Sequence, residues 1–201
     1  MNFRTRLGRL PLLLSMLLLG LSPFTALGQF VVQRGALGQP SQVFDETNTW
    51  TTPILVAEDH DVQVYIPDVS NQAWLAANYL DFRDKAQYAI SMFTLYKTPK
   101  ACQANQIAWG NSDGASLDAC NNDIGYRVRE AKVDSHQKTV ALVMAAMVDP
   151  NGQIVPDSIR RDRVSRNWSD LDANSQIALE KATALIADQM KHYDRRQQGI
   201  R

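Results

Sequence analysis

The chain balances 21 basic against 21 acidic side chains over 201 residues, so it lacks the positive excess of a general nucleic-acid-binding protein. Its length fits one domain with a hydrophobic core. We therefore expect no nucleic-acid partner. No second long apolar stretch follows the first thirty residues, so no integral membrane segment is expected in the mature protein.

The first 28 residues have the three-part layout of a secretory signal peptide. Three arginines precede an apolar run at 12–21, and the small-residue sequence Ala26-Leu27-Gly28 follows. We predict cleavage near Gly28 and a periplasmic or secreted protein. Removing residues 1–28 from 201 leaves 173 residues with 18 basic and 21 acidic side chains, a net charge of −3.

Residues 29–52 mix Gly, Gln, Ser, Thr and Pro with isolated apolar residues, which predicts an extended lead-in. A single domain is expected over 53–201. It begins with two short apolar runs, at 54–57 and 62–66, separated by four polar residues and stopped by Pro67. This pattern predicts a small N-terminal β-hairpin that lies on helices.

Residues 71–97 show apolar residues at alternating spacings of four and three, which is typical of one face of a long helix. Thr98-Pro99 would end it. The residues on this stripe are Leu75, Tyr79, Phe82, Ala86, Ala89, Phe93 and Tyr96.

The two cysteines of the chain, Cys102 and Cys120, bracket a polar stretch between two helical patterns. In an exported protein they permit one intramolecular pairing, and their spacing is wrong for a CxxC redox motif. We predict a disulfide that fixes the connection between the first two long helices.

Residues 124–148 are predicted as the second long helix, with apolar residues on one side and several alanines. A strand that turns at 149–152 into a second strand at 153–155 is the alternative, because Asp-Pro-Asn-Gly is good turn sequence. For residues 140–155, helix plus turn and hairpin both stay open.

A short helix is expected from Pro156 to Arg166 and a final long helix from Ser169 to about residue 194, opened by a capping box at 169–172. The predicted fold is therefore mainly α. It is a bundle of three long helices and a short fourth, with a small N-terminal hairpin and one disulfide.

Residues 110–114, Gly-Asn-Ser-Asp-Gly, match the G-x-S-x-G pattern of a serine-hydrolase nucleophile. Ser112 as nucleophile and His192 as base would define a small secreted serine hydrolase. The residues before Gly110 do not form an apolar strand, and a loop rich in Gly, Ser, Asn and Asp produces this pattern by accident. The hydrolase is therefore kept as an alternative function.

Residues 58–61 form a polar cluster in which Glu58, His60 and Asp61 are candidate ligands of a metal ion. In an extended segment alternate residues face opposite ways, so the three side chains do not all converge. A solvated turn is the favoured interpretation, and a periplasmic metal-binding protein is a second alternative.

Charge is unevenly distributed along the chain. No lysine or arginine lies between Arg34 and Arg83, whereas seven acidic residues do. Two solvated faces are favoured over pairing between copies in an oligomer. A basic cluster farther on is a candidate surface for an anionic partner. Its members are Arg160, Arg161, Arg163, Arg166 and Trp168.

We therefore expect an exported, non-enzymatic interaction protein without a cofactor. An envelope or secretion assembly component, or an inhibitor or immunity factor, would fit, with another envelope or secreted protein as its partner. The hydrolase and the metal-binding protein are the alternatives.

Overall fold

The computed structural model describes residues 32–34, 40–44, 50–108, 117, 120, 126–148, 154–155 and 158–197. Nine strands form two antiparallel sheets there, of three strands (β1–β3) and six strands in the order β4-β5-β6-β7-β8-β9. The elements are β1 Val32–Arg34, β2 Pro40–Phe44, β3 Trp50–Thr51, β4 Ile54–Glu58, β5 Val62–Ile66, α1 Gln72–Lys85, β6 Gln87–Tyr96, α2 Pro99–Ala108, β7 Tyr126–Asp134, β8 Thr139–Val148, β9 Ser165–Asn167 and α3 Ala173–Gln197.

The prediction of a mainly α helical bundle is wrong. The six-stranded sheet is the frame of the described part of the chain, and α1 and α3 pack on one of its faces. The predicted hairpin at 54–66 is present as β4 and β5, but it is the edge of this sheet rather than a small addition to a bundle.

The predicted helix at 71–97 is a helix followed by a strand. Helix α1 ends at Ala86, whose left-handed backbone (φ 56°) turns the chain into β6. The backbone N–H of Ala86 donates to the carbonyl of Phe82 at 2.9 Å and closes the helix. Beyond this point the periodic stripe is broken, because Phe93 and Tyr96 lie in different apolar clusters.

Replacing Ala86 with glycine is expected to raise the free energy of unfolding by about 0.5–1 kcal/mol. A Cβ in the left-handed region is strained, and glycine removes this strain. In an uninterrupted helix the same change would lower stability by about 1 kcal/mol. Urea unfolding of a protein that starts at residue 29 measures the sign of the change, and a loss of stability would contradict the turn at Ala86.

The predicted helix at 124–148 is wrong as well, because β7 and β8 form a hairpin there. Its turn is held by Asp134, whose side chain accepts the backbone N–H of Gln137 at 2.8 Å, and by a left-handed Lys138 (φ 54°). The strand alternative holds for residues 139–148, and Val148 forms an isolated bridge with Ile154.

The final long helix is present as α3, but it begins at Ala173, so the prediction of a capping box that starts at Ser169 is wrong. The carbonyl of Asp172 accepts from Gln176 N, and its carboxylate accepts from the backbone N–H of Ser175 at 2.9 Å. Asp172 therefore caps the helix. The short helix expected from residue 156 to Arg166 is wrong: Ser165–Asn167 is the edge strand β9, and a 3-10 turn, Trp168–Asp170, leads to α3.

The main core lies between the sheet and the two helices. Trp74 and Leu75 of α1, together with Leu179 and Ile186 of α3, are fully buried against the inward side chains of the strands. A second apolar cluster lies on the opposite face of the sheet, around Phe93. Strands buried on both faces show no clean alternation in sequence, and this applies to β6 and β8.

The predicted disulfide between Cys102 and Cys120 is confirmed, with the Cα atoms 5.6 Å apart. Both cysteines lie in the connection between strands β6 and β7, where the bond joins α2 to Cys120, rather than between two long helices of a bundle. Both cysteines are buried against Tyr96 and Met147. Closing a loop of this size stabilises a fold by about 3 kcal/mol in the chain-entropy model.

Candidate functional site: an arginine-rimmed groove

A groove of about 480 Å³ opens on the helix-bearing face of the sheet, beside β8 and β9. Helix α1 packs on β6, and α3 packs on β4 and β5. The face of the sheet at β8 and β9 borders the groove instead. The residues that line it are Met92, Arg129, Ala131, Val140, Leu142, Arg160, Arg161, Asp162, Val164, Arg166, Asp170, Leu171 and Asp172.

Strand register places three arginines around this groove. Arg129 pairs with Ala145, and Ala145 forms a bridge with Arg160, so the three residues share one row across the sheet. Arg166 of β9 pairs with Val140 in another row. Residues paired across strands point to the same face of a sheet. The three arginines therefore lie on the face that carries the groove.

The outer edge of β8 is interrupted at the groove. Its pairing with β9 stops at Ala141 and Ser165, and resumes at the bridge between Ala145 and Arg160. Residues 161–164 cross this interval without a strand assignment. Leu142 lies between the two paired regions and forms part of the groove floor.

The crossing segment is shaped by Asp162. Its carboxylate accepts the backbone N–H of Val164 at 3.0 Å and forms an ion pair with Arg166. Val164 is 62% exposed and its side chain borders the groove. Arg161 is exposed and forms no salt bridge with any described residue. The rim thus presents one paired arginine and one arginine whose charge faces solvent.

Arg129 is the innermost charge of the groove, with a side chain only 12% exposed. Its guanidinium donates to the hydroxyls of Ser175, at 2.8 Å, and Thr94, at 3.1 Å. Its buried Nε has no hydrogen-bond partner among the described residues. The nearest carboxylate, Asp172, lies 3.8 Å away, beyond the 2.7–2.9 Å of a charge-assisted hydrogen bond.

A small polar cleft of about 50 Å³ continues from Arg129 to Arg127, two residues earlier on the same face of β7. Arg127 is buried and donates to the amide oxygens of Asn105 and Gln106 on α2. Burial lowers the pKa of Arg127, and burial raises the pKa of Tyr96 beside it. The disulfide-linked helix α2 therefore supports the inner end of the basic site.

The predicted basic cluster is divided by the fold. Arg160, Arg161 and Arg166 line the groove, whereas Arg163 is exposed and does not. Trp168 is 5% exposed and belongs to the main core, with its Nε1 donating to the carbonyl of Thr139. The ammonium of Lys138 lies 4.1 Å from the centre of its ring.

The candidate metal ligands lie in the turn between β4 and β5. Glu58 pairs with Lys97 at 2.7 Å, and the hydrogen bond from Lys97 lowers the pKa of Glu58. The side chain of His60 is 90% exposed, with Nδ1 3.0 Å from Asp61. Within the described residues, no three His, Cys, Asp or Glu side chains are grouped to hold a metal ion.

The Gly-Asn-Ser-Asp-Gly motif with Ser112, and the signal peptide with its cleavage site at Gly28, lie outside the described residues. His192 lies on α3 with a 54% exposed side chain, its Nε2 3.7 Å from the carboxylate of Asp188 one turn earlier. It is therefore on a helix surface and is not a lining residue of the groove.

Sequence reasoning missed Arg129, Arg127 and the contribution of Asp172 to the site. The available signal was the alternation of arginine with apolar residues at 127–129, Arg-Val-Arg, which is typical of a strand with polar residues on one face. The predicted helix at 124–148 drew attention to its apolar residues and not to these two arginines.

Among the described residues, no helix is both long enough and apolar enough to cross a bilayer. The disulfide is consistent with a periplasmic or extracellular location. Comparisons with protein-family models, curated proteins and solved structures gave no match.

Proposed function

We propose that this chain is an exported, non-enzymatic interaction protein that binds an anionic partner in the arginine-rimmed groove. Export would follow cleavage near Gly28, and the partner would be another envelope or secreted protein. The groove then acts through shape and charge complementarity rather than by catalysis.

One observation carries this proposal: Arg129 of β7 joins Arg160, Arg161 and Arg166, from a separate part of the sequence, to border one apolar-floored groove. A solvated charged face would not need an apolar floor, whereas recognition sites combine apolar surface with a few placed polar groups. Val164, largely exposed at the rim, adds apolar surface that a partner would cover.

Photo-crosslinking tests the proposal directly. A benzoylphenylalanine placed at Val164, 62% exposed, is compared with one at Leu80, 67% exposed on α1. We expect irradiation of cells of the source organism to give a discrete adduct from position 164 and none from position 80. The adduct supports the proposal only if the identified partner, once purified, also binds the mature protein. Equal adducts from both positions, or none from position 164, would contradict it.

A further inference from the structure

The innermost charge of the groove is set up to receive a negatively charged group. The guanidinium of Arg129 is fixed by two neutral hydroxyls, those of Ser175 and Thr94. Asp172 is committed elsewhere, because its carboxylate accepts both the backbone N–H of Ser175, at 2.9 Å, and the Ser175 hydroxyl, at 2.6 Å. Asp172 therefore makes no direct hydrogen bond to Arg129, although its charge lies 3.8 Å from the guanidinium.

The register places a second guanidinium across from Arg129. Arg129 and Arg160 flank Ala145 in one row, so their Cα atoms are about 10 Å apart, two strand spacings. Ala145 is 2% exposed and is not a lining residue, so the position open to a ligand lies between the side-chain ends of the two arginines, which both line the groove. A carboxylate in this position would face both guanidinium groups.

Charge balance limits the ligand to about one negative charge. The groove is lined by four arginines and three aspartates, a formal excess of one positive charge. A polyanion such as a nucleic acid would meet the three aspartates as well as the arginines. A single carboxylate matches the excess.

The floor determines the apolar part of the ligand. Met92, Ala131 and Leu142 lie on three adjacent strands and span about 10 Å across the sheet. Met92 and Ala131 are buried beneath the groove, at 3% and 0% exposed, so partly exposed Leu142 is the part of this floor that a ligand contacts. This width accommodates one or two apolar side chains and is short for an extended fatty acyl chain. The apolar floor and the row of arginines are adjacent, since Ala131 is two residues from Arg129.

We propose that the groove binds the free carboxyl end of a partner chain whose last residues are apolar, with the carboxylate between Arg129 and Arg160 and the apolar side chains on the floor. A chain end carries its apolar side chain and its single negative charge on one residue, as the geometry requires. This inference rests on the proposed function, because it names the part of the partner that enters the groove.

The test uses the mature protein and the peptide acetyl-Ala-Ala-Leu-Leu, as the free acid and as the carboxamide. We expect the acid to bind about tenfold more tightly in calorimetry, since the amide loses a charge-assisted hydrogen bond. The Arg160→Met variant should remove this difference, because it removes one of the two guanidinium groups that face the carboxylate. Arg160 is exposed, so its replacement leaves the core intact. Arg129→Met should do the same, and its folding is checked by circular dichroism.

Two further ligands define the remaining outcomes. We expect acetyl-Ala-Ala-Ser-Ser acid and octanoate each to bind more weakly than the Leu-Leu acid. Equal affinity of the acid and the amide, or octanoate binding as tight as the peptide, would overturn the assignment of a chain end. If a partner still crosslinks at Val164 in that case, the proposed function survives and only its ligand class is wrong. If position 164 gives no adduct and no peptide binds, both proposals fail.

Discussion

Replacing Trp74 with alanine is expected to lower the free energy of unfolding by about 3–5 kcal/mol, the usual cost of truncating a fully buried aromatic side chain. Trp74 is 0% exposed and packs edge-on against Tyr88 of β6, with ring centroids 6.5 Å apart. It lies in the first turn of α1 and anchors this helix on the sheet. Its loss would leave a large cavity between the two layers.

The matched control is Leu80→Ala on the same helix, where the side chain is 67% exposed. We expect this change to alter stability by less than about 0.5 kcal/mol. Urea unfolding with the disulfide intact measures both variants. Similar losses from the two substitutions would contradict the packing of α1 through its first turn.

Some of the fold was predictable because local signals agree with the tertiary structure. The hairpin of β4 and β5 has a polar turn between two apolar runs, and the side chain of Asp59 accepts the backbone N–H groups of Asp61 and Val62 in that turn. The last helix has both an apolar face and a capping residue, Asp172. The disulfide was predictable because the chain has only two cysteines and its sequence predicts export.

The region after α1 was not predictable from its periodicity. Strand β6 is apolar on both faces, since Ile90 lies in the main core and Phe93 in the opposite cluster. A continuous apolar run can match a helical spacing by coincidence. The break occurs at Ala86, where an alanine has the left-handed backbone that glycine usually marks.

The hairpin of β7 and β8 was also hard to predict from the sequence. Arg127 and Arg129 lie on the core-bearing face of β7, so charge does not mark the solvent side. The left-handed position of the turn is Lys138 rather than Gly or Asn. The alanines of β8, which favoured a helix, include Ala145, where a small side chain lies between two arginines of the groove.

The candidate site was predictable only in part. A cluster of arginines at 160–166 indicated an anionic partner, but spacing alone does not show which of them converge. The register of β8 with β9 selects Arg166, and the bridge at Ala145 selects Arg160. Arg129 joins them because it pairs with Ala145, which in turn bridges to Arg160, and no local sequence pattern indicates these two pairings.

The second large effect is expected for Arg161→Glu, which should weaken binding of the crosslinked partner by about 2 kcal/mol or more, roughly 30-fold. Arg161 borders the groove and forms no salt bridge with a described residue, so its charge is available to an anionic ligand. Reversal would place a carboxylate against the partner's own negative charge. The exposed position of Arg161 allows the change without disturbing the core.

The chain offers a control two residues away. Arg163 belongs to the same sequence cluster and is also exposed, but it does not line the groove. Arg163→Glu changes the net charge by the same amount, so it measures the general electrostatic attraction between protein and partner. Any difference in affinity between the two variants measures the contribution of the position of Arg161 at the groove.

The most direct measurement is the dissociation constant of the purified partner for the mature protein and for these two variants, in a buffer of physiological ionic strength. We expect Arg161→Glu to raise the constant roughly 30-fold, and Arg163→Glu to change it by less than about threefold. Equal effects of the two substitutions would mean that the arginines act only as a charged surface, and would contradict binding in the groove.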